Sequence, residues 1–321
     1  MATYYGTYGQ KVQYLASDPS DPQIGQVWYN STSAVLKVRS VTTSGTWAAG
    51  GNMATAREQL AGAGTQTAGL AFGGTIPPQV QTEEYNGTSW TAGGSLGTAK
   101  RLSAGAGTQT AGLAFGGLIP PNTGATEEYD GTSWTAGGSM ATARRSLSGA
   151  GTQTSALGMG GYSGGVETAT EEYDGTSWTS GGSLPAARQV AAGAGSSNTA
   201  ALVFGGLISD SPSNSTLSYN GTSWTSVSSM NTPKARTMGC GTQTAALNFG
   251  GNPPTTAATE LYDGTSWTTT GSMGTGRYFA AGFGTQTAGL CAAGITGGTN
   301  QTATEEFTGP GVAETKTVTV S

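Results

Sequence analysis

One tryptophan returns at a near-constant interval along this chain of 321 residues, and the interval constrains the fold more than any other feature. Successive copies are 43, 44, 44, 46 and 43 residues apart, at Trp47, Trp90, Trp134, Trp178, Trp224 and Trp267. From the second copy on, each closes the sequence YDGTSW or YNGTSW, and every copy is followed ten residues later by Arg or Lys. A repeat of this length indicates supersecondary units that bury their apolar faces by stacking on one another.

Each repeat offers four short β-prone runs separated by turn residues. A small-residue run ends in GTQT or a variant, an apolar run ends in Gly-Gly, a third run reads TEEY or a variant, and the fourth contains Trp. Asp-Gly and Asn-Gly favour two-residue hairpin turns, so Tyr ends the third strand and Trp lies in the fourth. For the second repeat we predict strands a to d at about residues 101–107, 110–116, 125–129 and 132–136. Four strands in this period are typical of a propeller blade.

The order of Gly-Gly after an apolar strand, then Tyr, Trp and a basic residue resembles the kelch repeat, and the resemblance covers residues 47–307. It implies an all-β fold: a six-bladed kelch-like β-propeller with four antiparallel strands per blade. We assign residues 47–321 to the propeller and residues 1–46 to an N-terminal attachment segment. Function does not follow from this fold, because propellers host unrelated activities.

The two ends of the chain leave the closure of the ring open. Residues 25–39, GQVWYNSTSAVLKVR, predict a β-hairpin with a polar turn. The last repeat lacks its tryptophan, so its fourth strand comes either from the segment around Trp47 or from TKTVTV at 315–320. TKTVTV alternates like a half-buried edge strand, which favours the second arrangement, with Trp47 on an extra outer strand.

Composition excludes several classes of protein. The net charge is −5 with a pI near 4.8, and no basic cluster exists that would suit nucleic acid. No run of 18 apolar residues predicts a membrane span, and the N-terminus lacks the apolar core of a signal peptide. Cys240 and Cys291 occupy positions where the first repeat has Ala63 and Ala71. Buried free thiols are the preferred interpretation, and a disulfide between neighbouring blades is the alternative.

The chemistry of an enzyme is missing from the pattern, and we predict a protein without enzymatic activity, cofactor or metal. The chain has no histidine, which removes His-dependent nucleophiles and the copper ligands of kelch-type galactose oxidases. YDGTSW is similar to the Asp box of six-bladed sialidases, but here Asp and Gly are adjacent. The basic residues also differ from a catalytic cluster, because one occurs in each repeat and always at the same position of the repeat. Such a ring indicates repeated structural ion pairs with one Glu of each Glu-Glu dipeptide, since adjacent strand residues point to opposite faces. The fourth repeat has Leu217-Ser218 there, so Arg188 needs another partner or solvent.

Nearly all length variation lies between Gly-Gly and Tyr, in the connections between strands b and c. In an up-and-down blade these loops share one face of the disc with the d–a connections, while the uniform GTQT and DGTS turns form the other face. Variable loops on a rigid scaffold are where binding usually occurs, although loops also drift without selection. Tyr162 is the preferred residue for stacking on a sugar. The candidate ligand- or partner-binding residues are Pro77, Pro78, Pro120, Pro121, Tyr162, Asp210 and Pro253.

The N-terminal hairpin resembles segments that precede repetitive fibre sequence in virion proteins of marine tailed phages, and the YDGTSW and GAGTQT repeats are similar to a kelch-like group in such phages. The resemblance implies a virion protein, on a tail or capsid appendage, assembled in the host cytoplasm without a signal peptide. Residues 1–46 would dock to other virion proteins in a multi-copy assembly, and the b–c loops would adhere to a host-surface glycan or protein. A purely structural decoration or scaffold protein is the alternative, and a sialidase-like glycan hydrolase is a third.

Overall fold

The computed structural model describes residues 12–42, 44–75, 79–311 and 313–318, and all regular structure within them is β-strand. Two compact units are present: one contains the residues up to Gly45 together with those from Thr308 on, and the other contains Thr46–Phe307. The C-terminal residues therefore group with the N-terminal ones and not with the propeller, to which the sequence analysis had assigned them. Within the described residues, no helix is long and apolar enough to cross a bilayer.

The strands are numbered in chain order. The first four are β1 (Gln13–Leu15), β2 (Val27–Asn30), β3 (Val35–Val41) and β4 (Thr46–Ala49). The first three repeats contain β5 (Ala61–Thr65), β6 (Ala68–Phe72), β7 (Thr82–Tyr85), β8 (Trp90–Ala92), β9 (Ala104–Gly107), β10 (Gly112–Phe115), β11 (Thr126–Tyr129), β12 (Trp134–Gly137), β13 (Ser148–Thr152), β14 (Ser155–Met159), β15 (Thr170–Tyr173) and β16 (Trp178–Ser180).

The later repeats and the C-terminus follow the same scheme, with two short extra hairpins in b–c loops. They contain β17 (Ala192–Ser197), β18 (Ala200–Phe204), β19 (Leu207–Ile208), β20 (Ser211–Pro212), β21 (Thr216–Tyr219), β22 (Trp224–Val227), β23 (Met238–Gly241), β24 (Ala246–Phe249), β25 (Thr259–Tyr262), β26 (Trp267–Thr270), β27 (Ala281–Gly284), β28 (Ala288–Ala292), β29 (Ile295–Thr296), β30 (Thr299–Asn300), β31 (Thr304–Thr308) and β32 (Ala313–Val318).

The larger unit is a six-bladed β-propeller. Its six four-stranded sheets are β5–β8, β9–β12, β13–β16, β17-β18-β21-β22, β23–β26 and β27-β28-β31-β4, here called blades 1 to 6. The inner strands β5, β9, β13, β17, β23 and β27 each contact the next, and β27 contacts β5. The ring is therefore closed, and the fold predicted from the repeat is confirmed. Blade 2 has strands a to d within about three residues of the predicted bounds.

Small residues on the inner strands allow six sheets to meet around one axis. These strands read AGAG or a close variant, and their side chains point alternately into and away from the contact with the next blade. A Cβ atom added at Gly105 would lie 2.5 Å from the carbonyl oxygen of Gly62 in the preceding blade. The glycine-rich composition therefore reflects close backbone packing around the axis.

The preferred closure of the ring is wrong. Strand β4, and not TKTVTV, supplies the outer strand of blade 6. Trp47 lies there at the position of the other five repeat tryptophans, with its indole ring 5.0 Å from Phe249 and 5.2 Å from Phe307. Residues 313–318 form β32, which instead pairs antiparallel with β3, for example at Leu36 and Val318. Both segments suit an edge strand locally, and the packing of the half-buried Trp47 indole against Phe249 and Phe307 decides between them.

The smaller unit is a four-stranded sheet in the order β1-β2-β3-β32. The predicted hairpin is present as β2 and β3, and its turn is held by Asn30 Oδ1, which accepts hydrogen bonds from the backbone N–H groups of Thr32 and Ser33. Trp28 is fully buried and donates its indole N–H to Asp18. Hydrogen bonds to Asp18, first of all from Lys37 at 2.6 Å, lower its pKa to about 2.

Candidate functional site

The repeated basic residues are structural ion partners, as the sequence predicts. All six are buried, and five of them pair with the first Glu of the TEEY-type strand in their own blade. The paired Arg57 also donates to the carbonyls of Gly73 and Gln81, so its guanidinium ties strand b to strand c. The five pairs are Arg57–Glu83, Lys100–Glu127, Arg144–Glu171, Lys234–Glu260 and Arg277–Glu305.

Blade 4 keeps the cation without the carboxylate. Arg188 donates to Ser215 Oγ at 3.0 Å and to the carbonyls of Gly205 and Ser215. Burial without a charged partner lowers the pKa of Arg188 to about 10. The sequence correctly indicated that this arginine needs another partner.

The second Glu of each dipeptide joins neighbouring blades. Its carboxylate accepts a hydrogen bond of 2.5–2.6 Å from the repeat tyrosine of the next blade. The two Glu side chains therefore lie on opposite faces of the strand and do not form one carboxylate site. The four inter-blade bonds are Tyr85–Glu306, Tyr129–Glu84, Tyr173–Glu128 and Tyr219–Glu172.

The two interfaces that lack this bond have changed on both sides. Between blades 5 and 6, Leu261 stands in the place of the second Glu and Phe307 in the place of the tyrosine, and both belong to one apolar cluster. Between blades 4 and 5, Ser218 replaces the Glu, and Tyr262 donates instead to the carbonyl of Gly264. Loss of the acceptor therefore accompanies loss or redirection of the donor.

A double substitution at the interface between blades 5 and 6 tests this pairing. Leu261→Glu alone places a carboxylate beside Phe307, and Phe307→Tyr alone buries a hydroxyl without an acceptor, so each will destabilise the propeller. The double variant restores the bond found at four other interfaces. A double-mutant cycle from urea unfolding will give a favourable coupling of about 1–3 kcal/mol. Additive single effects would contradict the assignment.

The inter-blade tyrosines make the propeller sensitive to alkali. Burial, and then the hydrogen bond to Glu, raises the pKa of Tyr85, Tyr129 and Tyr219 to about 12, and that of Tyr173 upward as well. Above pH 10 the unfolded chain loses tyrosine protons that the folded chain keeps, so the stability that these four tyrosines contribute is complete below pH 10 and is lost as pH rises through about 12. The buried cations whose pKa burial lowers act in the opposite direction: Arg57, Lys100, Arg144, Arg188 and Lys234.

An NMR titration of the tyrosine ring carbons checks this expectation residue by residue. The resonance of Tyr129 will remain that of the neutral phenol past pH 11 and change together with global unfolding. A folded protein in which Tyr129 ionises near pH 10 would contradict the role of its bond to Glu84.

The repeated turns form bonds within and between blades, which explains their uniformity. In DGTS, Asp130 Oδ1 accepts the backbone N–H groups of Thr132 and Ser133, and these bonds lower its pKa to about 2. In TQT, the amide of Gln109 donates to the carbonyl of Tyr85 in the preceding blade, and Asn198 replaces this glutamine in blade 4. The equivalent turns begin at Asn86, Asp130, Asp174, Asn220 and Asp263, and the equivalent amides are Gln66, Gln109, Gln153, Asn198, Gln243 and Gln286.

The variable b–c loops lie beside the d–a segments, at the opposite end of the blades from these turns. Isolated backbone pairs such as Arg101 with Leu118 and Arg145 with Tyr162 join the two connections. Of the predicted binding residues, four are exposed at the tips of three loops and Tyr162 is half-buried. Pro77 and Pro78 lie outside the described residues. The four exposed positions are Pro120, Pro121, Asp210 and Pro253.

Tyr162 belongs to a network that links the loops of blades 2 and 3. The Arg145 guanidinium lies over its ring at 4.4 Å and donates to Asn122 Oδ1 at 3.0 Å. Asn122 in turn donates to the carbonyl of Tyr162 at 2.8 Å. One face of this ring is therefore covered by a cation, which leaves less of it for a sugar than the sequence suggested.

The structure also reveals a ring of residues around the axis that sequence reasoning missed. One residue per blade, two positions after the repeated basic residue, has a positive φ of 49° to 57°. The backbone N–H of each donates to the carbonyl of its counterpart in the preceding blade at 2.8–3.3 Å, and the six bonds close on themselves. The members of this axial ring are Gln59, Leu102, Ser146, Val190, Arg236 and Phe279.

The sequence does contain a signal for this ring. The position two residues after the repeated basic residue carries a different residue in each of the six repeats. Left-handed backbone costs of order 1–3 kcal/mol at a residue such as Val190 and persists when surrounding structure enforces it, often at a functional site. The hydrogen-bonded ring supplies that enforcement. The strained backbone therefore holds six unlike side chains in fixed places around the axis.

A cavity of about 110 Å³ lies at the axial ring, on the side of the b–c loops. Its wall contains the axial ring and the residue after each member, among them Ser103 and Thr237. The Arg236 guanidinium lies 5.5 Å from the centre of the Phe279 ring and donates to Asn252 Oδ1 at 3.3 Å. Three further arginines lie at other positions of the repeat than the buried basic residues: Arg101, Arg145 and Arg236. The sequence analysis did not distinguish them from the repeated basic residues.

The two cysteines are structural. Both Cys240 and Cys291 are free and buried, so the preferred interpretation is confirmed and no disulfide joins the blades. Burial raises the pKa of both thiols, that of Cys291 to about 12, which suppresses thiolate chemistry. Among the described residues, no cluster of three metal-ligating side chains is present.

No family model matches this chain, and no curated protein matches it in sequence. Its fold is similar to the solved structure of YjhT, a propeller protein, with a TM-score of 0.65 and 13% sequence identity. The match covers 79% of this chain and 95% of that chain. The likeness shows the propeller fold alone, so function is argued below from the residues of this chain.

Proposed function

We propose that this protein is a non-enzymatic component of a tailed-phage virion that presents its propeller for adhesion to a host-surface glycan or protein. The observation that carries the proposal is the contrast between the two ends of the blades. At the turn end, the repeated Asp, Asn and Gln side chains form turn and inter-blade bonds. At the loop end, both the b–c loops and the axial ring differ from blade to blade. Such variation on a rigid scaffold suits selection for a partner.

The smaller unit supports the proposed attachment to other virion proteins. Among the described residues, the large apolar side chains that are well exposed, Tyr14, Ile24 and Val318, all lie in this unit. Tyr14 pairs with Tyr29, Tyr29 with Leu36, and Leu36 with Val318, so one apolar row crosses all four strands. The row is exposed at its two ends, Tyr14 and Val318, and half-buried at Tyr29 and Leu36, and an apolar surface of this kind suits a protein interface. The resemblance of residues 25–39 to phage virion segments points to the same partners.

A binding role suits the axial cavity better than a hydrolytic one. Among the described residues that line it, none is a carboxylate, a histidine or a cysteine. Glycoside hydrolysis commonly needs two carboxyl groups that flank the scissile bond. Five of the carboxylates at the repeated position are already bound in buried ion pairs. The described wall of the cavity therefore offers groups for recognition without the carboxyl pair that glycoside hydrolysis commonly uses.

Binding of the labelled protein to cells of the host bacterium tests the proposal. A loop variant combines Pro120→Ser, Tyr162→Ala, Asp210→Ser and Pro253→Ser. A matched control changes the same four blades at the turn end through Asp130→Asn, Asp174→Asn, Asn220→Asp and Asp263→Asn, each of which places a residue that the chain already carries at this turn in another blade. We expect the loop variant to lose adhesion and the turn variant to keep it. Equal adhesion by both variants would overturn the proposed loop-face adhesion.

A further inference from the structure

We propose that the axial cavity binds the end of an acidic saccharide, a uronic acid residue, with Arg236 holding its carboxylate and Phe279 contacting its ring. The inference deepens the proposed function, on which it rests for the identity of the ligand-binding face. It assigns the recognition of a ligand to the axis of the propeller and not to the loop tips.

The charge of the cavity wall favours an anion. Among the described residues that line the cavity, Arg236 is the charged one, and none is a carboxylate. Its contacts are a neutral amide, Asn252, and the face of Phe279, so the guanidinium is oriented without being neutralised. A planar guanidinium matches a carboxylate with two parallel hydrogen bonds. In a chain with a net charge of −5, this is a local reversal of sign at the axis.

The rest of the wall suits a pyranose ring. Around the axial ring, polar and apolar members alternate: Gln59, Leu102, Ser146, Val190, Arg236 and Phe279. Apolar surface with a few fixed polar groups is the usual composition of a small-molecule site. The polar members offer donors and acceptors to sugar hydroxyls, and the apolar ones offer contact to ring carbons, Phe279 through the part of its ring that Arg236 does not cover.

The size of the cavity limits what enters. A volume of about 110 Å³ is well below the roughly 300–1,000 Å³ of pockets that bury a whole drug-sized ligand. One terminal sugar residue therefore sits in the mouth, and any further residues extend outward among the b–c loops.

Calorimetric titration of the full chain with D-glucuronate tests the proposal, with D-glucose and acetate as the neutral and the sugar-free probes. We expect glucuronate to bind and each of the other two to bind at least about tenfold more weakly, since each lacks one half of the recognised chemistry. Arg236→Gln will weaken glucuronate binding by about tenfold or more, the loss expected for a charge-assisted hydrogen bond. Phe279→Leu will weaken it as well.

These variants are matched to the fold. Gln59 and Leu102 already occupy the equivalent positions in other blades with φ values of 56° and 54°, so both replacements fit the left-handed backbone. Arg145→Gln removes the same charge outside the cavity wall, where blade 4 has Gln189, and should change the affinity for glucuronate less than twofold. Unchanged thermal unfolding verifies that each variant is folded.

Absence of glucuronate binding, or equal binding by the wild type and Arg236→Gln, would overturn the inference. An equal loss with Arg145→Gln would also overturn it, because the recognition would then be a general surface charge. The host-cell assay separates this inference from the proposed function. A protein that adheres through its loops without binding glucuronate defeats only the inference, and one that binds glucuronate without adhering to cells defeats only the adhesin proposal.

Discussion

Glu83→Gln will lower the free energy of unfolding of the propeller by about 3–5 kcal/mol, the cost of leaving one partner of a buried ion pair without its counter-charge. Arg57 is fully buried, and its Nη2 lies 2.8 Å from Glu83 Oε1. The other carboxylate oxygen accepts the backbone N–H of Ala54 at 2.7 Å. Glutamine has one acceptor oxygen for these two donors, so one of them is left unsatisfied beside an uncompensated charge.

Urea unfolding followed by fluorescence measures this change, and Asn86→Asp is the matched control in the same hairpin. Three other blades carry Asp at that turn, so the control will shift stability by no more than about 0.5 kcal/mol. A loss below 1 kcal/mol in Glu83→Gln would show that the buried pair is not structural. It would also reopen the question of whether the repeated carboxylates have a chemical role.

Trp47→Ala will destabilise the propeller by about 3 kcal/mol, a value typical of truncating a large aromatic side chain in a packed site. Its indole N–H donates to Thr259 in blade 5 at 3.0 Å, and its ring packs against Phe249 and Phe307. The five other repeat tryptophans make the same bond to a threonine of the preceding blade at 2.9–3.0 Å. Trp134→Ala should therefore cost a similar amount.

Thr317→Pro provides the opposite control, because it breaks the pairing of β32 with Lys37 of β3 in the smaller unit. Hydrogen exchange of the amides of β28 and β31, followed by mass spectrometry, will increase in Trp47→Ala and stay unchanged in Thr317→Pro. The reverse pattern would mean that the C-terminal strand closes the ring.

The repeat made the blades predictable, because each bond recurs at a fixed spacing. The basic residue ten positions after Trp identified the ion pairs, and the absence of Glu in blade 4 identified the exception at Arg188. The hairpin turn after Tyr129 followed from Asp-Gly, and Gly131 has a positive φ of 93°, but the connection spans the four residues Asp130 to Ser133 and not the two that were predicted. Local sequence decides such features, so an inference from local sequence finds them.

Closure of the ring and the axial cavity depend on partners that are distant in sequence. Both Trp47 and TKTVTV suit an outer strand, and the choice lies in packing against Phe249 and Phe307. The left-handed backbone of Val190 contradicts its local preference and is enforced by hydrogen bonds from one blade to the next. Arginines at other positions of the repeat, such as Arg236, were not distinguished from the repeated cations. The sequence gives a residue's position within the repeat but not its position around the axis.

Electron cryomicroscopy of the intact particle that carries this protein tests the central claim most directly. The proposal predicts that the unit containing β1–β3 and β32 is buried against other virion proteins and that the b–c loops and the axial cavity face outward. A particle in which the loop face is buried against capsid or tail, with the DGTS turns outside, would contradict adhesion and make the protein a structural decoration.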